Sequence, residues 1–283
     1  MTALLAPIRL LWVLLYFAAA TGARSVTIFG ATSGIGQLVA SKALLRGFQV
    51  NAVTRSVSNA RQFENLMGCA LLEADCRFPA TIPDNCLSSE QVVICIGTTA
   101  FPTKRWEDGA NSPKIACLDS VVNVLDRIDS LPFWSKKPRR VTLISSIGVD
   151  RQKSFPFLIL NRYGVLDFKR QSEVVLRERG AKAGYETLVI RPGRLVGPPF
   201  TNTDLAKLLK LDQGDKRSIL LDRNDVLAGD TERADVSQAV VRFFDFPSLQ
   251  RKSVTFSLVN TRGEPPSEVQ WKALLTEIQE EKM

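Results

Sequence analysis

Three glycines carry the clearest chemistry. They lie in Gly30-Ala31-Thr32-Ser33-Gly34-Ile35-Gly36, between the apolar run Val26-Thr27-Ile28-Phe29 and a stretch in which Ile35, Leu38, Val39, Leu44 and Leu45 recur at helical spacing. Glycine at a strand-to-helix junction makes the tight turn, lets backbone approach a pyrophosphate, and allows the helix to pack closely, while the first helical N–H groups face the phosphates. Gly30, Thr32, Ser33, Gly34, Ile35 and Gly36 are therefore the expected phosphate-side residues of a dinucleotide site. The second strand ends in Val53-Thr54-Arg55-Ser56, with no carboxylate to clasp a ribose 2′-hydroxyl. Arg55 suits a 2′-phosphate instead, which favours NADP over NAD; an ordinary strand-end arginine is the alternative. Asp75 and Cys76 close the third strand beside the adenine, and Gly97 and Thr98 close the fourth beside the cofactor.

The elements that must position these residues alternate from residue 25 onward. Runs of strand length at Val26 to Gly30, Gln49 to Thr54, Ala70 to Ala74, Val92 to Gly97, Arg140 to Ser146 and Glu186 to Arg191 are separated by segments of helical period. This is the pattern of an α/β protein, a doubly wound parallel sheet covered on both faces. Beyond Arg191 it loosens into a helix around Leu205 to Leu211, a strand at Ser218 to Leu221, a helix through Val236 to Phe244, a strand near Val254 to Val259 and a helix from Ser267. These form a small C-terminal lobe on the substrate side. Residues 1–23 differ: Arg9 precedes the apolar Leu10 to Phe17 and the small residues up to Ala23, the order of a secretory-type signal. The expected division is a targeting segment, 1–23, and one nucleotide-binding domain, 25–283. Membrane contact is expected only if that segment stays uncleaved.

Composition narrows the chemistry further. The 283 residues contain no histidine, which removes Ser-His-Asp and Cys-His nucleophiles and histidine metal ligation. The five cysteines, Cys69, Cys76, Cys86, Cys95 and Cys117, show no C-x-x-C spacing and read as core or free thiols, with no metal site. The net charge of +8 owes much to clusters such as Lys136-Lys137-Pro138-Arg139-Arg140. That cluster precedes a strand, away from the ligand end of the sheet, and reads as a solvated face rather than a nucleic-acid site.

Four further segments extend the pattern: Ala74-Asp75-Cys76, Ile144-Ser145-Ser146-Ile147-Gly148, Ile190-Arg191-Pro192-Gly193-Arg194-Leu195 and Arg233-Ala234-Asp235-Val236. With the glycine loop, they resemble the divergent, atypical branch of the short-chain dehydrogenase/reductase family over nearly all of residues 25–283. The block Gly97 to Trp106 is similar to plastid-targeted, largely uncharacterised members from plants and algae, which keeps a plastid in view beside secretory entry. The resemblance implies a Rossmann fold and a catalytic serine, tyrosine and lysine. Ser146 matches the serine and Lys169 the lysine, which in the family holds the nicotinamide ribose. Val165 stands where the family has its tyrosine, four residues before Lys169. Tyr163 is the nearest substitute, but on one helix six positions put it about 240° away from Lys169. It reaches the site only from a loop before the helix; a packing aromatic is the other reading. Lys169 is read equally as an exposed partner of Glu173, and Ser146 as a strand-end hydrogen-bonding serine. The resemblance also implies that Pro192 and Gly193 set backbone against the nicotinamide amide, with Arg191 and Arg194 either binding substrate anions or covering the sheet end.

The functional expectation is NADPH-dependent reduction of a small carbonyl or enone, with Tyr163, Thr98, Thr99 or water as proton donor. The alternative is a non-catalytic NADP-binding redox sensor or assembly factor lacking the family tyrosine. Phe101, Trp106 and Phe200 offer an apolar wall for a small-molecule substrate. Sugar-nucleotide epimerisation ranks below both, since it also uses the tyrosine. Oligomeric state is left open by the sequence.

Overall fold

The computed structural model describes residues 24–103, 106, 109–200, 216–249 and 252–280. The alternating pattern becomes an eight-stranded sheet in the order β3-β2-β1-β4-β5-β6-β10-β8. Its strands are β1 (Ser25–Phe29), β2 (Gln49–Thr54), β3 (Ala70–Glu73), β4 (Gln91–Ile94), β5 (Arg140–Ile144), β6 (Glu186–Pro192), β8 (Ser218–Asp222) and β10 (Ser253–Thr261). All neighbours are parallel except β8, which runs antiparallel to β10 at the edge. Two short strands, β7 (Arg194–Val196) and β9 (Asp230–Glu232), pair separately beyond the end of β6.

Register explains why these strands are apolar on both sides. Ile28 lies opposite Ala52 and Val93, and all three face one layer. Phe29, opposite Val53 and Ile94, faces the other. The first layer is filled by α1 (Gly34–Leu45), with Ile35 and Val39 inward, and by helices built from Arg233–Phe243 and Glu268–Gln279. The second is filled by helices Ser120–Asp129 and Val165–Ala183, through Val121, Leu125 and Leu176. In chain order the helices are α1, the short α2 (Val57–Ala60), α3 (Ser120–Asp129), the short α4 (Phe157–Leu160), α5 (Val165–Ala183), α6 (Arg233–Phe243) and α7 (Glu268–Gln279).

β1 therefore sits between β2 and β4, where the strand order reverses direction. Ligands of open parallel sheets bind outside the carboxyl ends of the strands at such a point. The fourth strand ends at Ile94, earlier than its sequence suggests; Cys95 still donates its N–H to the Phe29 carbonyl of β1, and Ile96 to Thr99 leave the sheet beside the glycine loop. The basic cluster before β5 is also not wholly a solvated face. Arg140 is fully buried, its guanidinium bound to Glu186 on the adjacent strand at 2.7 Å and to the Phe243 carbonyl. Arg139 pairs with Glu90 at 2.9 Å. Four cysteines are buried and Cys69 is half-buried, none paired with another. The targeting segment 1–23 and the helix expected at Leu205 to Leu211 lie outside the described residues. Among the described residues, no helix is long and apolar enough to cross a membrane.

Candidate cofactor and substrate site

The glycine loop is shaped by backbone contacts. Gly30 has φ of +76°, and a Cβ there would lie 2.8 Å from the Cys95 carbonyl oxygen. A Cβ at Gly36 would collide with the Gly30 carbonyl. Ser33 caps α1, its hydroxyl accepting the Gly36 N–H at 3.0 Å. Helix geometry leaves the N–H groups of Gly34 and Ile35 without intrahelical acceptors, pointing out of the sheet end at the switch point. Pro199 and the Arg233 side chain lie against Gly34, so a segment after β7 covers one flank of the loop.

At the β2 end, Arg55 is exposed and donates to the Asn111 side chain at 2.9 Å. Asp75, at the end of β3, is paired within its own turn. Its carboxylate takes Nε of Arg77 at 2.9 Å and an Arg77 terminal nitrogen at 2.5 Å. Burial acts to raise the Asp75 carboxyl, but Arg77 outweighs it and holds the group below the ordinary carboxylate range. Cys76 is a core residue, and burial pushes its thiol up to about 12.

The reaction side is assembled around the loop that follows β4. A Cβ at Gly97 would meet only the Lys169 amine, at 3.7 Å, so this stretch of backbone lies open apart from that lysine. Lys169 donates to the carbonyls of Ile144 and Ser145, both at 3.3 Å, at the end of β5. An ammonium has three protons, which leaves one for a ligand. The expected pairing of Lys169 with Glu173 does not occur: Glu173 is fully buried and taken by Arg191, Ser145 and Arg177.

Tyr163 lies in the turn ahead of α5, not in the helix. Gly164, at φ of +78°, begins a new direction, and Asn161 Oδ1 caps the helix by accepting the N–H groups of Leu166 and Asp167. Tyr163 is therefore not held about 240° from Lys169 on a shared helix. The Tyr163 ring packs edge-on to Trp106 at 5.5 Å and Phe101 at 6.4 Å. Trp106 in turn donates its indole N–H to Thr98 at 2.9 Å. One loop thus passes near the Lys169 amine at Gly97 and packs on Tyr163 at its aromatic end. Val165, at the family's tyrosine position, is a core residue beside Val149, Ile147 and Leu166. The Ser146 hydroxyl is half-buried and donates to the Ile147 carbonyl at 3.0 Å.

Several polar groups expected at the site are already used within the protein. The N–H of Gly193 donates to the Thr231 hydroxyl at 2.8 Å, and the Pro192 carbonyl accepts the Ile147 N–H at 3.0 Å. Arg191 is buried against Glu173 at 2.6 Å and Asp150 at 2.7 Å, and Arg194 pairs with Asp230 at 2.7 Å. Arg191 is thus buried in ion pairs, while Arg194 stays largely exposed in a surface pair. The Ser145-Glu173-Arg191-Asp150 chain underlies the end of β5 and β6, and its partners lie too far apart in sequence to be recognised from spacing. Phe200 stacks under the Arg233 guanidinium at 5.3 Å rather than joining Phe101 and Trp106. Among the described residues, no cluster of three or more Cys, Asp or Glu side chains could hold a metal ion.

These residues fit a dinucleotide: a glycine loop with free helix-end donors, an exposed arginine at the β2 end that is hydrogen-bonded to Asn111 and lies near Asp75 without an ion pair to it, and a lysine with a spare proton over open backbone. The NAD(P)H-binding family profile matches residues 30–247. No curated protein sequence matches the chain. Solved structures share its fold. An oxidoreductase of Lactococcus lactis is 16% identical with a TM-score of 0.65, covering 92% of this chain and 100% of its own. An anaerobilin reductase of Escherichia coli is 16% identical with a TM-score of 0.60, covering 86% and 100%. A short-chain dehydrogenase/reductase of Veillonella parvula in complex with NADP is 15% identical with a TM-score of 0.57, covering 86% and 99%.

Proposed function

The chain belongs to the NAD(P)H-binding family, and from that premise we propose that it is an NADPH-dependent reductase of a small carbonyl or enone. The observation that carries this reading is the loop after β4, which passes near the Lys169 amine at one end and packs on Tyr163 at the other. When bound, the nicotinamide supplies the hydride. The chain's own residues do the rest. The glycine loop and the N–H groups of Gly34 and Ile35 hold the pyrophosphate, and Arg55 pairs with the 2′-phosphate. Lys169, tethered to two carbonyls, presents its remaining proton to a ribose hydroxyl. Tyr163, held edge-on by Phe101 and Trp106, gives a proton to the substrate oxygen. Thr98 is the second donor: its oxygen accepts from Trp106, so its own proton stays free, whereas the Thr99 hydroxyl is spent on the Phe101 carbonyl at 2.8 Å. Phe101 and Trp106 give that end of the cleft an apolar wall.

A second reading rests on Val165. With a buried aliphatic side chain in place of the family tyrosine, the protein would bind NADP and act as a redox sensor or assembly factor. Fluorescence titration with NADPH and NADH, followed by NADPH consumption against quinones, aldehydes and enones, separates the two. Turnover supports the reductase; tight binding without turnover supports the sensor. We also read residues 1–23 as a secretory entry signal with a plastid as the possible destination, which a fluorescent fusion of that segment tests.

A further inference from the structure

The apolar lip of the cleft continues from Tyr163 back into residues 155–160, which the proposed chemistry does not use. Residues 151–166 contain no acidic side chain. Within them Phe157 turns inward onto Val149, Val165 and Leu166, and this single contact seats α4. Its neighbours face solvent: Phe155 is 79% exposed, Leu158 57%, Ile159 51% and Leu160 38%. Scattered apolar residues on a surface need no explanation, but four among six consecutive positions form a patch. Exposed Tyr163 and Phe101 carry it to the cleft. Lys153 and Arg162 stand exposed at its two ends, and neither side chain makes an ion pair or hydrogen bond among the described residues.

We propose that Phe155–Leu160 is an interfacial docking element that seats the protein on an anionic lipid surface and opens the cleft toward the membrane. Apolar side chains entering the acyl boundary, an interfacial tyrosine, and cations at headgroup level form the arrangement that a lipid surface complements. A second copy of the chain fits less well. A twofold contact through this segment would bring Lys153 and Arg162 of both copies together, with no acidic residue between 151 and 166 to answer them. The other exposed aromatic pair, Phe133 and Trp134, lies in the loop leading into β5, at the opposite end of the sheet. One flat surface cannot take both. The inference stands independently of the reductase reading, because its readout is lipid contact and not turnover.

The test uses the full chain, mixed with phosphatidylcholine vesicles with or without phosphatidylglycerol, with amide hydrogen exchange mapped by segment. Local exchange is the deciding readout because the apolar run at Leu10 to Phe17 can itself hold lipid. The expected result is slowed exchange at 155–163 on anionic vesicles, none at 130–138, and loss of that protection in a Leu158→Glu/Ile159→Glu variant. Lys153→Glu/Arg162→Glu should raise the phosphatidylglycerol needed by about tenfold. All four side chains lie in solvent, so the variants retain the fold. Absence of vesicle binding, unchanged exchange at 155–163 in vesicle-bound protein, equal protection on neutral vesicles, or protection at 133–137 instead would each overturn the proposal.

Discussion

The two ends of the cofactor cleft are built from different materials. At the β1–α1 turn the surface offered to a ligand is backbone, fixed by Gly30 and Gly36 and a serine cap, and it depends on residues within one short stretch. At the β5–α5 end it is side chains: Lys169 hung from two carbonyls, and Tyr163 braced by a loop more than fifty residues earlier in the chain. A backbone cradle admits few solutions and keeps its glycines. A side-chain site can be rebuilt from a neighbouring turn, and the proposed use of Tyr163 in place of position 165 would be such a rebuilding.

That contrast breaks most readily at Tyr163. In Tyr163→Phe the ring still packs on Phe101 and Trp106, but the proton is lost. Turnover should fall by about 10²- to 10⁴-fold while NADPH affinity stays within about twofold, since the phosphate end is untouched. Full activity in this variant would move the donor to Thr98 or water. Nearly as large is the effect of cutting the buried chain that supports the reaction side. Glu173→Ala leaves Arg191 buried with only Asp150 and strands the Ser145 hydroxyl. Thermal or urea unfolding should show a loss of about 3–5 kcal/mol. A loss under about 1 kcal/mol would mean that water reaches this network.

Val165→Tyr sharpens the comparison from the opposite direction. Restoring the family residue by type does not restore the site, because position 165 points into a packed cluster with Val149 and Ile147. The larger ring should overpack that cluster and destabilise the protein by about 1–3 kcal/mol without raising turnover. A rise in activity would show that the helix can rotate to present it. At the backbone end, Arg55→Ala should leave NADH binding unchanged and weaken NADPH by roughly tenfold, the loss of one exposed charge-assisted contact. Equal loss for both cofactors would assign Arg55 to the fold rather than to the 2′-phosphate.

The sequence was legible where causes are local. The β1-α1-β2 unit, its glycine loop and the alternation of parallel strands with helices follow from periodicity and from glycines only a few residues apart. The reaction side resisted because its causes are distant. Arg140 reads as one more charge in a basic cluster, yet its partner Glu186 is 46 residues away and burial reverses its meaning. Lys169 invites a helical pairing with Glu173, but Arg191 on a strand claims that carboxylate first. The position of Tyr163 left one local trace, the Asn161 to Gly164 turn, in which an asparagine cap and a left-handed glycine set the helix to begin at Val165. Read as a cap, that turn frees Tyr163 from the helix.

Acid titration separates two carboxylates whose environments push in opposite directions. Burial acts to raise the Asp150 carboxyl, but Arg191 and Arg170 outweigh it and hold it below the ordinary value of 3.8. Its contribution to stability is therefore complete above 3.8, where the unfolded group is ionised, and is lost as pH falls through the folded value. Asp235, at the start of α6, is raised above 3.8 by burial, although a hydrogen bond from Asn260 opposes the shift. Its ionised form disfavours folding, so its contribution improves as pH falls through that raised value toward 3.8. Unfolding curves taken from neutral pH downward should show Asp150→Asn flattening the loss below 3.8, and Asp235→Asn removing a gain above it. Both are small effects, because Asp150 is partly solvated and its ion pairs are screened. The pattern fails if both variants change the same limb of the curve, which would mean that the two carboxylates share one environment and the reaction side is no more charge-braced than the face where α1 meets α6.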